Sequence, residues 1–195
     1  GSQAGATATP TAVTTPAVPT AGMSPGATPV SGDVWQQIQA SGKIIAGTSA
    51  DYPPFEFYAD ANRIDGFDIA LMDEIGRRLS LQVEFRDYAF DGLEPALRLG
   101  EIQVAIAAIS RTPDREAAVD FSHVYLVSED AFLARADWEV PISTTEDAAQ
   151  HRIGVQRNTV YEEWIQLVLV DAGRMSPDNL YAYQAAEHAV RDLLE

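Results

Sequence analysis

From residue 33 onward, apolar and polar positions recur with the periods of regular structure. Lys43–Thr48 (KIIAGT) is a short apolar run ending in small residues, the pattern of a buried strand. Asp68 is placed to cap a helix in which Ile69, Met72, Ile75 and Leu79 recur at three- and four-residue steps. Residues 83–88 alternate like a strand, and Leu93–Leu99 reads as a short helix preceded by Asp91 and closed by Gly100. Residues 102–109 (IQVAIAAI) are apolar almost throughout, which predicts a central parallel strand covered on both faces. Strand, helix, strand, helix, strand is the order of an α/β unit with right-handed crossovers.

The second half begins again in the same style. Residues 124–135 read as a long extended segment, and Ser143-Thr-Thr-Glu146 as a capping box opening a short helix. Residues 152–156 predict a strand, and Thr159-Val-Tyr-Glu162 a second capping box before a helix running to Asp171. Residues 180–184 suit a strand and 185–194 a last helix, with Glu187 and Arg191 spaced i,i+4. Two α/β lobes in one chain predict a ligand site between them.

Composition changes this picture at the N-terminus. Residues 1–32 carry no charged side chain, and 24 of them are Ala, Thr, Pro or Gly. Such a segment cannot bury enough apolar surface to offset its conformational entropy, which predicts a disordered tether. It lacks the basic start and apolar stretch of a signal peptide, and it suits the linker that follows the lipidated cysteine of bacterial lipoproteins. A generic flexible terminus has the same composition.

Charge narrows the partners. With 29 acidic and 13 basic residues the net charge is −16, which argues against nucleic acid and anionic membrane surfaces. The absence of cysteine excludes a disulfide scaffold, a thiolate metal site and a cysteine nucleophile. The apolar runs at 102–109 and 165–170 are too short to span a bilayer. His123, His151 and His188 have no metal-ligand spacing, and no GxSxG, HExxH or P-loop sequence occurs, so no metal, cofactor or catalytic residue is assigned.

Candidate chemistry sits where strands end, which in open α/β sheets is where ligands bind. Tyr52-Pro-Pro-Phe55 follows the first strand, Phe90-Asp-Gly92 the second, and Ser110-Arg-Thr-Pro-Asp-Arg115 the third. Arg115 beside Ser110 suits a carboxylate clamp, because its planar fork takes both oxygens. A surface pairing of Arg115 with Asp114 or Asp120 is an equal reading from position alone.

The ordered segments 47–57 (GTSADYPPFEF), 64–79 (IDGFDIALMDEIGRRL), 90–122 and 153–164 (IGVQRNTVYEEW) closely resemble the family 3 extracellular solute-binding proteins, the amino-acid receptors of ABC importers. The resemblance covers roughly residues 42–195. It implies an α/β, two-lobed type II periplasmic-binding-protein fold, hinged and closing over one amino acid. Lobe one would span 33–125, and 126–195 would hold the hinge crossing and part of lobe two. It further implies an extracytoplasmic, lipid-anchored protein that hands an amino acid to ABC permease subunits and performs no chemistry.

By the same resemblance, Arg115 would bind the ligand carboxylate with help from Ser110, and the backbone at Ala108 would meet the ammonium group. Tyr52 and Phe90 would sandwich the ligand side chain, and Thr159 would meet the carboxylate on closure. Asn158 stands where the family usually has glycine, so it either alters the anion pocket or adopts the left-handed conformation that Asn tolerates. Ser49 stands where members binding basic side chains often carry aspartate, which weakens a Lys, Arg or His ligand. The aspartate that pairs with the ammonium is expected beyond Glu195, in a second lobe truncated here. A cyclohexadienyl-dehydratase-like enzyme and the sensor domain of a membrane receptor are the alternatives on this fold.

Overall fold

The computed structural model describes residues 32–139 and 142–195. The expected tether therefore lies outside the described residues, except for Gly32, which opens the first helix, α1 (Gly32–Ser41).

Strand β1 (Lys43–Thr48) forms the middle of a three-stranded parallel sheet. It is flanked by β5 (Gln82–Asp87), in register from Lys43 opposite Gln82 to Thr48 opposite Asp87, and by β6 (Val104–Ala105). Helix α2 (Phe67–Leu79) precedes β5, and α3 (Leu93–Leu99) precedes β6. On one face of the sheet Ile38, Ile44, Ala46, Met72 and Ile106 close a core, and on the other Leu93, Ala96, Ile102 and Ala107 close a second. Burial of each large side chain contributes about 1.5–3 kcal/mol. Gly47 permits the second packing, since a Cβ there would stand 2.4 Å from Ile102 Cδ1.

Two expectations change here. The 102–109 run pairs as a strand only at Val104–Ala105, and β1, not this run, is the central strand. The Gln103 side chain accepts from the Ile45 N–H at 2.8 Å, and Ala108 turns left-handed (φ 46°), so the ladder ends almost as it begins. Asp68 does not cap α2 either. The N-cap is Gly66, and Asp68 turns inward, fully buried. Ile69 and Met72 of the predicted stripe are buried, whereas Ile75 and Leu79 stay exposed.

Between β1 and α2 the chain makes an antiparallel three-stranded sheet of β2 (Asp51–Tyr52), β3 (Glu56–Asp60) and β4 (Arg63–Asp65), which the apolar pattern did not predict. Short helix α4 (Pro113–Glu116) follows β6, and residues 124–135 belong to no helix or strand.

The C-terminal part repeats the α/β theme on a smaller scale. Helix α5 (Thr145–Ala148) leads to β7 (Ile153–Gln156), which pairs in parallel with β8 (Leu180–Tyr183). Helix α6 (Val160–Ile165) continues as a π-helical turn, Gln166–Val170, and α7 (Ala186–Leu194) ends the chain described. Ala148, Val155, Ile165, Leu169 and Met175 form the core. The capping box of α5 is Thr144 with Asp147, one residue later than expected, since Thr144 has the extended N-cap conformation.

Candidate ligand-binding cleft

The ends of β1, β6 and β7 and the start of α7 open onto one cleft of about 660 Å³, and all seven residues singled out from the sequence line it: Tyr52, Phe90, Ala108, Ser110, Arg115, Asn158 and Thr159. Chain segments about a hundred residues apart are brought together by the two parallel sheets.

Arg115 is placed by α4. Pro113 fills the first helical turn, and the N-cap Thr112 hydroxyl accepts from the Arg115 N–H at 3.3 Å. The guanidinium donates from Nη1 to the Ser110 carbonyl at 2.8 Å and from Nη2 to the Asn158 carbonyl at 2.7 Å. Its carbon stands 5.6 Å from the Phe90 ring centroid. Among the described residues it forms no ion pair, with Asp114, Asp120 or any other acid. Burial pulls it below the ordinary arginine value, and the charges of Glu163 and Glu94 oppose that. Two of its five N–H donors are engaged, which leaves a fork for a carboxylate.

Asn158 adopts the left-handed conformation (φ 62°), and its N–H donates to Glu162 Oε2 at 2.6 Å. The left-handed conformation, one of the two expectations for that position, is the one observed. The Thr159 hydroxyl donates to the Gln156 carbonyl at 2.8 Å and accepts from the Glu162 N–H at 3.3 Å as the N-cap of α6. Only half of the expected capping box forms, since the Glu162 carboxylate bonds Asn158. Tyr52 stacks on Phe55 at 5.5 Å between centroids. Of Ser110 it is the carbonyl that serves Arg115, while its side chain is exposed.

The sequence reading missed Asp51. Its Oδ2 accepts from Gln156 Nε2 at 2.9 Å and from the Ala186 N–H at 3.1 Å, both in the C-terminal part. Ser49, itself buried, donates to Oδ1 at 3.1 Å, and burial raises the Asp51 carboxyl above its ordinary value. A carboxylate therefore faces the cleft although Ser49 is not acidic. Across the cleft the Tyr161 hydroxyl donates to Asp130 Oδ1 at 2.9 Å, and burial and Asp130 push that phenol up. Tyr161 lay in a recognised capping box and Asp130 in an extended segment, and nothing in either pattern marked their side chains as facing a cleft. Among the described residues, no three His, Asp or Glu gather as metal ligands, and no helix is long and apolar enough to cross a membrane.

Two α/β units with their strand ends facing one cleft define a type II periplasmic-binding-protein fold. The sequence profile of the bacterial extracellular solute-binding proteins, family 3, matches residues 44–192, and the chain belongs to that extracytoplasmic family. It is 33% identical over 121 residues to the arginine-binding extracellular protein ArtP of Bacillus subtilis, covering 62% of this chain and 46% of that protein. It is 33% identical over 127 residues to ABC transporter arginine-binding protein 1 of Escherichia coli, covering 65% and 51%. The crystal structure of the ancestral amino acid-binding protein AncCDT-1, a precursor of cyclohexadienyl dehydratase, superposes with a TM-score of 0.75 at 27% identity, covering 83% of this chain and 69% of that one. The chain spans about half the length of the curated relatives it matches.

Proposed function

We propose that the protein binds a free amino acid outside the cytoplasm and presents it to ABC permease subunits, with no catalysis. The observation that carries this reading is the Arg115 fork, held over Phe90 with donors to spare and, among the described residues, no acidic partner. A bidentate ligand carboxylate is the group such a fork suits. In this reading residues 33–125 form one lobe and 126–195 the hinge crossing with the second. Ser110 and Ala108 border the carboxylate and ammonium ends, and Tyr52 and Phe90 flank the side chain. Asn158 and Thr159 meet the carboxylate from the opposite wall, Thr159 through its backbone because its hydroxyl already serves the helix cap. A lipid anchor preceding the Thr/Pro/Ala segment would hold the protein at the cell surface.

The ligand side chain is polar and cationic in this proposal. Asp51, Asp130 and Glu94 line the cleft together with Tyr52 and Tyr161, an acidic and aromatic setting in which a guanidinium or ammonium is favoured. The arginine-binding names of the two curated relatives support the same class.

A thermal-shift screen of the standard amino acids on the full-length protein tests the reading. At one hundred times Kd a ligand adds about 2.7 kcal/mol, which moves the melting temperature by several degrees. L-Arginine or L-lysine should give the largest shift, and Asp51→Asn should reduce it more than it reduces the shift from L-glutamine. No shift with any amino acid would refute amino-acid binding. Turnover of prephenate or arogenate would instead support the dehydratase reading, which the AncCDT-1 likeness keeps in view.

A further inference from the structure

Glu56, in the wall of the cleft, and Asp68, behind it, form a carboxyl pair. Glu56 in β3 is 1% exposed and Asp68 in α2 is fully buried. Asp68 Oδ2 accepts from the Ala108 N–H at 2.7 Å, and both Asp68 oxygens lie within 3.0 Å of the Tyr125 hydroxyl that donates to them. Three separate stretches of chain meet at this one carboxylate: the antiparallel sheet, the turn after β6, and the segment that leads toward the second unit.

Glu56 Oε2 is buried, and no donor among the described residues faces it. Two ionised carboxylates here would repel, with no cation to compensate, since no ion pair among the described residues involves either. A proton on Glu56 removes the conflict, because an orphaned acceptor becomes a donor and Asp68 its acceptor. Asp68 lies in the first turn of a thirteen-residue helix and collects the other two donors, which places the negative charge on it. The groups facing Glu56 are Asp68 from α2, Asp51 from β2 and Tyr125 from the connecting segment. Burial and the charges of Asp68 and Asp51 push Glu56 up to about 9.

Ala108 needs such an anchor. Its φ of 46° is a left-handed conformation that a residue with a Cβ adopts only when its surroundings enforce it. We propose that Asp68, with a proton-bearing Glu56 behind it, is the positioning residue that holds Ala108 in its left-handed turn and thereby shapes the cleft wall on which the amino acid docks. The functional consequence rests on the amino-acid-binding reading; the carboxyl pair does not.

The test combines carboxyl and amide NMR of the full-length protein with calorimetry using L-arginine as probe. In the wild type, the Glu56 carboxyl should titrate near pH 9. In Asp68→Asn that midpoint should fall yet stay above ordinary glutamate values, since burial is the larger cause and remains, and the Ala108 amide proton should move upfield. L-Arginine affinity should drop about tenfold in Asp68→Asn, the scale of one lost charge-assisted hydrogen bond. Ala108→Gly in the same background should recover most of it, because glycine holds the turn without an anchor. The wild-type Ala108 amide shift should change as pH rises past 9, and Glu56→Gln should abolish that step.

An ordinary Glu56 titration, an unmoved Ala108 amide, or a loss that glycine does not recover would overturn the proposal. If Asp68→Asn does not fold, Glu56→Gln decides, since an alkaline step persisting in that variant overturns it equally. If the wild type binds no amino acid, the ligand reading falls, while the Glu56 titration and the Ala108 amide still decide whether the pair holds the turn.

Discussion

Replacing Glu56 by Gln should make the protein more stable, and increasingly so as pH rises from 5 to 8. Glutamine has the same length and also donates a hydrogen bond to Asp68, but it needs no proton. The wild-type carboxyl has an unfolded value of 4.5 and a folded value of about 9. With the folded value raised, its stability is fully present below pH 4.5 and is lost progressively as pH climbs through 9. Each pH unit in that window costs the wild type about 1.4 kcal/mol, so the penalty at pH 7 reaches about 3 kcal/mol. Urea unfolding of both proteins at pH 5, 6, 7 and 8 measures it. Other titrating groups cancel in the difference, which should widen by about 1.4 kcal/mol per unit. A difference that stays constant across these four pH values would refute the shared proton.

Three other substitutions probe separate parts of the argument. Arg115→Lys keeps the charge but loses the fork, so L-arginine affinity measured by calorimetry should weaken by about 2 kcal/mol or more, while the melting temperature moves little. Gly66→Ala combines φ 136° with a Cβ 2.1 Å from the Phe55 carbonyl oxygen, and chemical denaturation should show a loss of about 3 kcal/mol or more. Thr144→Ala removes the cap of α5, which should cost about 1 kcal/mol in the same assay, and Thr144→Ser should restore it.

Local pattern was enough to place several elements of this protein. The strand Lys43–Thr48, the helix Leu93–Leu99 ending at left-handed Gly100, and the strand–helix order of the second half follow from apolar period and terminal residues. The ordered motifs around Tyr52, Phe90, Arg115 and Thr159 pointed to one family and one cleft, and those residues do line one cleft. The tertiary structure decided everything that depends on contacts between distant segments. The 102–109 run is apolar enough for a central strand, yet the Gln103 bond to β1 and the turn at Ala108 end its pairing after two residues. Asp68 has the spacing of a helix cap, yet burial against Glu56, Ala108 and Tyr125 turns it into an inner anchor. Asp51 looks like any polar loop residue until Gln156 and Ala186, 105 and 135 positions later, donate to it. Apolar period is a property of neighbouring residues and survives in any window of sequence. The partner of a buried polar atom is chosen by chain topology, which no window contains.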